Sequence, residues 1–380
     1  MKIAFCVLKN LSFCGGIEQY TYELGTRLVK RGHDVRVYSM THYGPLGLPN
    51  RDDSQSGRRA RVGGMHVIGV PSLPLRPAEK LTASAAAALR LFLDEPVDVI
   101  HFHHVSSGWA AWLLRRSGAR RVLQSHGLAW RTSQWGRGGS ALLRCLEALA
   151  IKQCDVLTCV SRAQGDYYQR RYGVSMVHIP TGAEVRSKLA PAELRSGGLG
   201  QEQYVLYVGR LSPEKGVHVL IEAFRRLPGQ RRLVLAGPVC DRRYGARLGD
   251  LARGDDRIVF TGPLRGRLLA ELFSNAALYV QPSQLEGLSM ALLEAMGYGC
   301  CCLVSDIPEN LEAIGPAGRS FVCDDADSLL EQLSWLLDRP DEAANLGSLA
   351  QKRIAQCHNW DDITCRFERL YQRPALQKAA

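Results

Sequence analysis

The feature that most constrains the fold is a regular alternation of short β-branched runs with longer helical patterns along the 380 residues. Such alternation is typical of βαβ units, in which helices cover both faces of a parallel sheet. Two series of these units follow one another, the first beginning at Lys2 and the second at Tyr204. The sequence therefore predicts an α/β protein with two doubly wound, Rossmann-like domains.

The stretch between the two series sets the predicted domain boundaries. Residues 186–203 are rich in Gly, Ser and charge and show no clear period, which is typical of a linker. We therefore predict an N-terminal domain over 1–185 and a C-terminal domain over 204–359, whose final helix is about 327–337. A last helix within 360–380 is expected to pack back on the first domain. Ligands of such sheets bind at the carboxyl ends of the strands, so the site is expected in a cleft between the domains.

Charge is distributed unevenly between the two halves. Residues 1–200 hold 27 Lys and Arg against 14 Asp and Glu, a net charge of +13, whereas the remainder holds 21 against 23. A basic half indicates an anionic partner, which could be nucleic acid, an acidic lipid surface or a phosphorylated substrate. A solvated basic surface without a partner is the alternative.

The cysteines and the hydropathy pattern indicate the cellular compartment. None of the twelve cysteines forms a C-x-x-C pair, and Cys300–Cys302 lie in an apolar, strand-like segment, so we expect reduced and mostly buried thiols. No apolar run reaches the roughly 18–20 residues that a membrane-spanning helix needs. Since the N-terminus also lacks the pattern of a signal peptide, we expect a cytoplasmic protein.

The most informative stretch is QPSQLEGLSMALLEAMGYG, residues 281–299. Pro282 ends a predicted buried strand, and a short loop then carries Glu286. A helix opens at Gly287-Leu288-Ser289 and places Glu294 on its second turn. The free N–H groups and the positive dipole at a helix N-terminus bind phosphate. The stretch therefore predicts a diphosphate site, with Glu294 positioned to accept hydrogen bonds from ribose hydroxyls.

Two further loops follow predicted strands. Arg210 and Lys215, in GRLSPEKG, emerge from the carboxyl end of the strand at 204–209, where two cations can neutralise a leaving diphosphate. Gly15 and Gly16 separate the first strand from the first helix and would let the backbone approach a phosphate closely. His126 also follows a strand, and it could face the cleft or serve only the fold.

Metal sites are weakly indicated. Residues 324–327, Asp-Asp-Ala-Asp, contain a D-x-D pattern, but they lie just before a predicted helix, where Asp is a favoured cap. Along a strand, His101 and His103 would point to one side and His104 to the other, so the three rings are not expected to surround one metal ion. We therefore predict no metal site.

Taken together, these stretches resemble the family 4 retaining glycosyltransferases of GT-B fold, often called glycosyltransferase group 1. The likeness runs through nearly the whole chain in the segments GGIE, DVIHFHH, SHG, VSRA, IPTGAE, YVGRLSPEKGVHVLIEAF, LAGP, FTGPL, EGLSMALLEAMGYG and SDIPENLEAI. The combination of Glu286 and Glu294 with the GR…EKG loop is specific to this family. Thr181, where the family commonly has Asn, and the three successive cysteines depart from its pattern.

The resemblance implies roles for the matching residues. Arg210 and Lys215 would grip the diphosphate of a UDP- or GDP-sugar donor, Glu286 would contact the transferred sugar, and Glu294 would hold the ribose. The backbone that would cradle sugar and phosphate is that of Gly287, Leu288 and Ser289. From the first domain, the resemblance places Gly16 near the phosphate and His126 beside the sugar, and Leu264 would contact the base. It also implies that configuration is retained and that no metal or other cofactor is required.

The resemblance further implies a glycan or lipid-linked acceptor, in cell-surface polysaccharide or glycolipid synthesis. Arginines and tryptophans are interleaved in the basic half, and in related transferases such a region contacts anionic membrane, so peripheral contact with the inner face of the plasma membrane is a hypothesis. These residues are Arg115, Arg116, Arg120, Arg121, Arg131, Arg137, Arg144, Trp109, Trp112, Trp130 and Trp135. A sugar-nucleotide epimerase of the same fold and a basic nucleic-acid-binding protein are the alternatives, although no nucleic-acid motif is present.

Overall fold

A computed structural model describes residues 1–11, 15–43, 59–75, 78–131, 136–196 and 204–372. The chain divides into two compact units. One comprises the described residues of Met1–Thr181 together with the last helix, and the other comprises those of Gly182–Asn359. Each unit is built on one sheet with its own apolar core.

The first unit contains eight strands and six α-helices among its described residues. In chain order they are β1 (Lys2–Leu8), α1 (Gly16–Lys30), β2 (Asp34–Met40), β3 (Arg59–Val62), β4 (Met65–Val70), α2 (Ala78–Leu93), β5 (Val99–Phe102), α3 (Val105–Gly108), β6 (Arg120–Ser125), α4 (Arg137–Gln153), β7 (Val156–Cys159), α5 (Arg162–Tyr172) and β8 (Val177–His178), followed by the distant last helix, Trp360–Gln372. The sheet order is β3-β4-β2-β1-β5-β6-β7-β8, and only the β3–β4 pair is antiparallel.

The second unit has a six-stranded, fully parallel sheet. Its elements are α6 (Ala192–Ser196), β9 (Tyr204–Val208), α7 (Val217–Phe224), β10 (Arg232–Ala236), α8 (Arg242–Ala252), β11 (Ile258–Gly262), α9 (Gly266–Asn275), β12 (Leu278–Gln281), α10 (Met290–Gly297), β13 (Cys302–Ser305), α11 (Pro308–Ile314), β14 (Arg319–Phe321), α12 (Ala326–Leu337) and α13 (Pro340–Cys357). The helix that follows, α14 (Trp360–Gln372), is the last helix of the chain and belongs to the first unit. The sheet order is β11-β10-β9-β12-β13-β14.

The strands form where the sequence has uninterrupted apolar runs. β1 is buried at every position after Lys2, and β12 and β13 are buried throughout, because helices cover both faces of a parallel sheet. This agrees with the two parallel-sheet domains predicted from the alternation. Three strands lie outside the two predicted series, namely β3, β4 and β14. The first two form an edge hairpin through Gly63 and Gly64, both at positive φ, and the third has only three residues.

The final helix of the second unit differs from the prediction. Between α12 and α14 lies α13, an 18-residue helix, so the prediction that 327–337 is the last helix of that domain is wrong. Pro340 occupies its first turn, where the missing N–H costs nothing and the fixed φ favours a new helix. A proline soon after a helix therefore began another helix here.

The chain between the two sheets also differs from a free linker. The amide of Ala183 donates to His358 O (2.8 Å), and that of Arg186 donates to Gly297 O (2.9 Å). The amides of Glu193 and Leu194, in α6, donate to the buried carboxylate of Glu271. The described part of the predicted linker, residues 186–196, thus packs within the second unit, and residues 197–203 lie outside the described residues.

The last helix belongs to the first unit. Glu368 of α14 pairs with Arg31 (2.9 Å) and with His33 (2.7 Å), both of which lie just beyond α1. Tyr371 donates to or accepts from His101 Nδ1 at 2.7 Å, deep in the core. The helix is amphipathic, and its apolar face, including Phe367, is buried. Residues 373–380 lie outside the described residues.

Two smaller expectations concern membranes and thiols. Among the helices described, none combines the length and hydropathy that crossing a membrane requires. All eleven cysteines in the described ranges are free thiols, and Cys14 lies outside them. Six of the eleven are buried, including Cys300–Cys302, where burial raises the pKa of each thiol.

Candidate active site

The second sheet has a topological switch point between β9 and β12. The chain proceeds from β9 to β10 and β11 on one side and then returns to place β12 on the other side of β9. Connections leaving two such neighbouring strands diverge, which opens a crevice at their carboxyl ends. The loops that follow β9 and β12 carry Arg210, Lys215 and Glu286, so three of the predicted site residues lie at this edge.

The loop after β9 is fixed by backbone contacts. The amide of Leu211 donates to Pro238 O (2.9 Å), and the amide of Gln284 donates to Glu214 O (2.9 Å). Gly216 has a φ of 64°, and a Cβ there would lie 2.0 Å from the carbonyl oxygen of Pro282. Only glycine permits this approach, so the loop carrying Lys215 packs directly against the loop carrying Glu286.

Lys215 and Glu286 form an ion pair in the crevice. Lys215 Nζ lies 2.6 Å from Glu286 Oε1, and the side chains are 14% and 7% exposed. The same carboxylate oxygen accepts from Gln281 Nε2 and from Ser283 Oγ, both at 2.7 Å. With three donors on one oxygen, the carboxylate is held in one place, and its charge is compensated despite burial.

The network continues to the start of α10. Gln281 Oε1 accepts from Tyr279 OH (2.6 Å) and from Ser289 Oγ (3.2 Å). Ser289 is the N-cap of α10 and accepts from the amide of Leu292. Tyr279 and Gln281 therefore tie the helix start to the strand that positions Glu286.

The start of α10 has free donors. Within the described part of the chain, no hydrogen-bond acceptor faces the amides of Gly287, Leu288 and Ser289. Free amides together with the helix dipole form an anion-binding arrangement. Lys215 contacts Glu286, which precedes these amides directly in the chain.

The remaining predicted residues of this unit occupy separate positions. Arg210 is half-exposed, and its guanidinium lies 3.8 Å from Glu214. Glu294 is partly buried on the second turn of α10. Leu264 follows β11, two strands from β9, and packs against the apolar core. Their contacts with a donor stay predictions.

The first unit contributes Gly16, the first residue of α1. A Cβ added at Gly16 would meet no described atom within 4 Å, so the packing of the described residues does not demand glycine there. Two residues on, the buried carboxylate of Glu18 accepts from the amide of Lys9, and burial raises its pKa. A role for Gly16 in binding phosphate stays a prediction.

His126 lies in a stack of neutral rings after β6. His126 Nε2 is 3.4 Å from His103 Nδ1, whose ring stacks on His101 with centroids 4.3 Å apart. Tyr20 packs edge-on against His126. Burial lowers the pKa of His126 to about 3, and burial with the neighbouring His126 lowers that of His101 to about 3. These rings are therefore neutral near pH 7.

Neither candidate metal motif has the geometry of a metal site. Asp325, in the D-x-D pattern, caps α12 by accepting from the amides of Asp327 and Ser328, which confirms the capping interpretation. His104 caps the short helix α3 instead of joining His101 and His103. No three His, Cys, Asp or Glu side chains in the described ranges are arranged to hold a metal ion.

Sequence reasoning missed three polar residues of the site. Tyr279, Gln281 and Ser283 form the network that holds Glu286, yet none of the three is predicted from the sequence to belong to the site. The available signal was a buried strand ending in polar side chains just before a loop glutamate. Tyr371 was missed because its contact with His101 spans 270 positions of the sequence.

Comparisons with known proteins cover both units. The family described as Glycosyl transferases group 1 matches residues 192–353, and that described as Glycosyltransferase Family 4 matches residues 14–186. D-inositol 3-phosphate glycosyltransferase of Gordonia bronchialis is 27% identical, over 96% of this chain and 85% of its own length.

Solved structures are similar over almost the whole chain. Sucrose-phosphate synthase from Thermosynechococcus elongatus superposes with a TM-score of 0.83 at 23% identity, covering 98% of each chain. Anabaena Alr3699/HepE in complex with UDP-glucose superposes with a TM-score of 0.80 at 18% identity, covering 97% of this chain and 99% of the other. The similarity therefore extends over both units and not only over one sheet.

Proposed function

Since the chain belongs to the group 1 glycosyltransferases of GT-B fold, we propose that it is a retaining hexosyltransferase that uses a UDP- or GDP-sugar donor. The observation that carries the proposal is the convergence of Lys215, Glu286 and the open start of α10 at the switch point of the second sheet. A donor with a diphosphate next to a sugar matches this pairing of cation and carboxylate. The UDP-glucose bound by Anabaena Alr3699/HepE supports the same donor class.

The charges of the site suit departure of a diphosphate. Breaking the bond between the sugar C1 and the phosphate oxygen leaves negative charge on the diphosphate. Lys215, Arg210 and the amides of Gly287–Ser289 would stabilise that charge without a metal ion. Glu286, fixed by Gln281 and Ser283, would face the sugar, whose ring gains positive charge as the bond breaks.

Retention follows if the acceptor attacks from the face that the diphosphate leaves. The acceptor hydroxyl oxygen bonds to C1, and its proton passes to the departing phosphate oxygen, so bonds and charges balance without an enzyme nucleophile. His126, neutral because burial lowers its pKa to about 3, would serve as a hydrogen-bonding group beside the sugar and not as an acid. We assign Glu294 to the ribose and Leu264 to the base on the same proposal.

The acceptor that we propose is a glycan or a lipid-linked molecule of cell-surface polysaccharide or glycolipid synthesis. Trp112 and Leu113 are exposed on the first unit, and Arg115 stacks on Trp112 at 4.8 Å. An exposed aromatic and apolar patch with arginines suits peripheral contact with the anionic inner face of the plasma membrane. Flotation with anionic and neutral liposomes tests this contact, and equal recovery with both would reject it. Trp135, also part of the basic cluster, lies outside the described residues.

Donor use is tested by thermal-shift screening of UDP- and GDP-sugars, followed by product analysis. We expect one nucleotide sugar to stabilise the chain and to support transfer with retained anomeric configuration. EDTA should leave the rate unchanged. Glu286→Gln should abolish transfer with the fold intact, whereas Glu331→Gln, on the exposed surface, should not. Free epimerised sugar without an acceptor would favour the epimerase, and loss of activity on chelation would reject the metal-free mechanism.

A further inference from the structure

The arginines of the basic half differ in what they contact. Arg121 is neutralised by Asp155, which accepts from its side chain at 2.7 and 3.1 Å. Arg131 and Arg144, in contrast, are both exposed and both face the ring of Trp130, with guanidinium carbons 5.3 and 4.3 Å from its centroid. Two cations therefore share one indole.

Neither of these two guanidinium groups is neutralised. Within the described part of the chain, no carboxylate lies at ion-pair distance from Arg131 or Arg144. The nearest acidic residue in sequence, Glu147, follows Arg144 by one turn of α4 but is fully buried. Its two oxygens accept from Tyr167 and Tyr168 (3.4 and 3.3 Å), and burial raises its pKa. Glu147 thus serves the core beneath Trp130 and leaves the two positive charges uncompensated.

Trp130 holds both cations in place in the segment that follows β6. It lies in a short turn four residues after His126, and its carbonyl oxygen accepts from Ser140 of α4 (3.0 Å). Its ring packs on the core beside Tyr167. A half-buried indole reduces the freedom of two flexible side chains, which lowers the entropy lost when both bind one ligand. The pair is therefore preorganised for a group that accepts from two guanidinium forks.

We propose that Arg131 and Arg144, held on Trp130, bind a phosphate group carried by the acceptor. The assignment rests on the proposed transferase function, and it names the chemistry of the acceptor on the first unit. Arginine forks donate paired hydrogen bonds to phosphate oxygens, and a phosphate monoester carries enough charge to neutralise both cations. The phosphate could belong to a soluble sugar phosphate or to a lipid headgroup, since both present unesterified, negatively charged phosphate oxygens that accept from arginine.

Calorimetric titration of the full chain tests the pair with glucose 6-phosphate and glucose as probes. Saturating UDP or GDP, whichever binds, occupies the diphosphate site of the second unit during the titration. We expect wild type to bind glucose 6-phosphate on the order of tenfold more tightly than glucose. The preference should vanish in the double variant Arg131→Gln, Arg144→Gln. It should persist in Arg339→Gln, a matched control because Arg339 is also exposed and stacks on an indole, that of Trp335 in the second unit.

A second arm separates the two sources of phosphate. Sedimentation with phosphatidylglycerol-containing vesicles, against phosphatidylcholine alone, is measured for wild type, the double variant and Arg339→Gln. The phosphate belongs to a lipid headgroup if only the double variant loses vesicle binding and wild type shows no preference for glucose 6-phosphate over glucose. If neither probe depends on Arg131 and Arg144, the proposal is wrong. Arg144→Lys keeps the positive charge, so this variant should retain part of the preference that the double variant loses. Such partial retention would show that the loss in the double variant comes from the missing charges and not from misfolding.

Failure of the underlying function would look different. If neither UDP nor GDP binds, the transferase proposal fails, and the titration is repeated without nucleotide. A phosphate preference that still depends on the pair would then identify an anion site independent of sugar transfer. A third outcome would reject the phosphate site but not the transferase function. In that case the double variant would bind the nucleotide as wild type does, wild type would show no preference for glucose 6-phosphate, and vesicle binding would not depend on Arg131 and Arg144.

Discussion

In the second sheet, the edge formed by the carboxyl ends of β9 and β12 is charged and densely hydrogen-bonded. In the first sheet, the corresponding edge at the carboxyl ends of β5 and β6 carries a stack of neutral rings. In the second unit, Glu286 and Lys215 are buried as ions because each has a partner. In the first, His101 and His103 are fully buried and His126 is partly buried, no carboxylate among the described residues pairs with them, and desolvation keeps the three rings unprotonated. On the proposed function, the second edge would act through fixed charge, while the rings after β5 and β6 would supply shape and neutral hydrogen-bonding groups.

The largest expected effect comes from removing the cation of the second edge. Lys215→Ala should lower kcat/KM by about 10²–10³-fold, the loss typical of one electrostatic contact to a developing charge. It also leaves Glu286 buried without its cation, so some loss of thermal stability is expected. Steady-state transfer assays check the rate, with the exposed Lys188→Ala as the control. Near-normal transfer by Lys215→Ala would remove the contrast between the two edges.

The neutral histidines of the first edge should make that unit sensitive to acid. Their folded pKa values lie well below the ordinary value of about 6.5, so under acid the unfolded chain binds protons that the folded unit excludes. Stability is therefore complete above about pH 7 and decreases as the pH falls, by about 1.4 kcal/mol per pH unit for one histidine.

Amide hydrogen exchange at pH 7.5 and pH 5.5 measures this difference. Strands β1, β5 and β6 should lose more protection than β9 and β12. His103→Phe should reduce the acid loss because Phe cannot bind the proton. Equal losses in both sheets would show that the histidine stack does not distinguish the two units.

A smaller effect is expected from the residues that position Glu286. Ser283→Ala removes one of the three donors to its carboxylate, so we expect kcat to fall about tenfold with little change in donor KM. The exposed Ser348→Ala should leave both constants unchanged. A rise in KM alone would mean that Ser283 serves donor binding and not the orientation of Glu286.

How far these arrangements could be predicted depends on whether they are local in sequence. The buried strands and the loop containing Lys215 follow from short apolar runs and turn residues, and the order of Glu286, Ser289 and Glu294 follows from helix geometry. The contact of Lys215 with Glu286 joins residues 71 apart and needed the structure, because no periodicity encodes which loops meet. The omitted α13 shows a second limit, since a proline that ends one helix pattern can also begin the next helix.

The smallest effect concerns a glycine of the first edge. Gly16→Ala should change the free energy of unfolding by less than about 1 kcal/mol, because the added methyl meets no described atom. It should weaken donor binding a few-fold if a phosphate approaches this backbone. Gly25→Ala, in the same helix, is the contrast, since its Cβ would lie 2.2 Å from Met65 Sδ and should cost stability without changing donor affinity. Unchanged donor affinity in Gly16→Ala would remove Gly16 from the site.

The central claim is that the charged edge of the second unit holds the donor diphosphate, and a crystal structure of the full chain with bound UDP or GDP tests it most directly. The account predicts diphosphate oxygens about 3 Å from Lys215 Nζ and from backbone nitrogens among Gly287–Ser289, with Arg210 turned toward them. A diphosphate bound elsewhere, with Lys215 still paired only with Glu286, would contradict it.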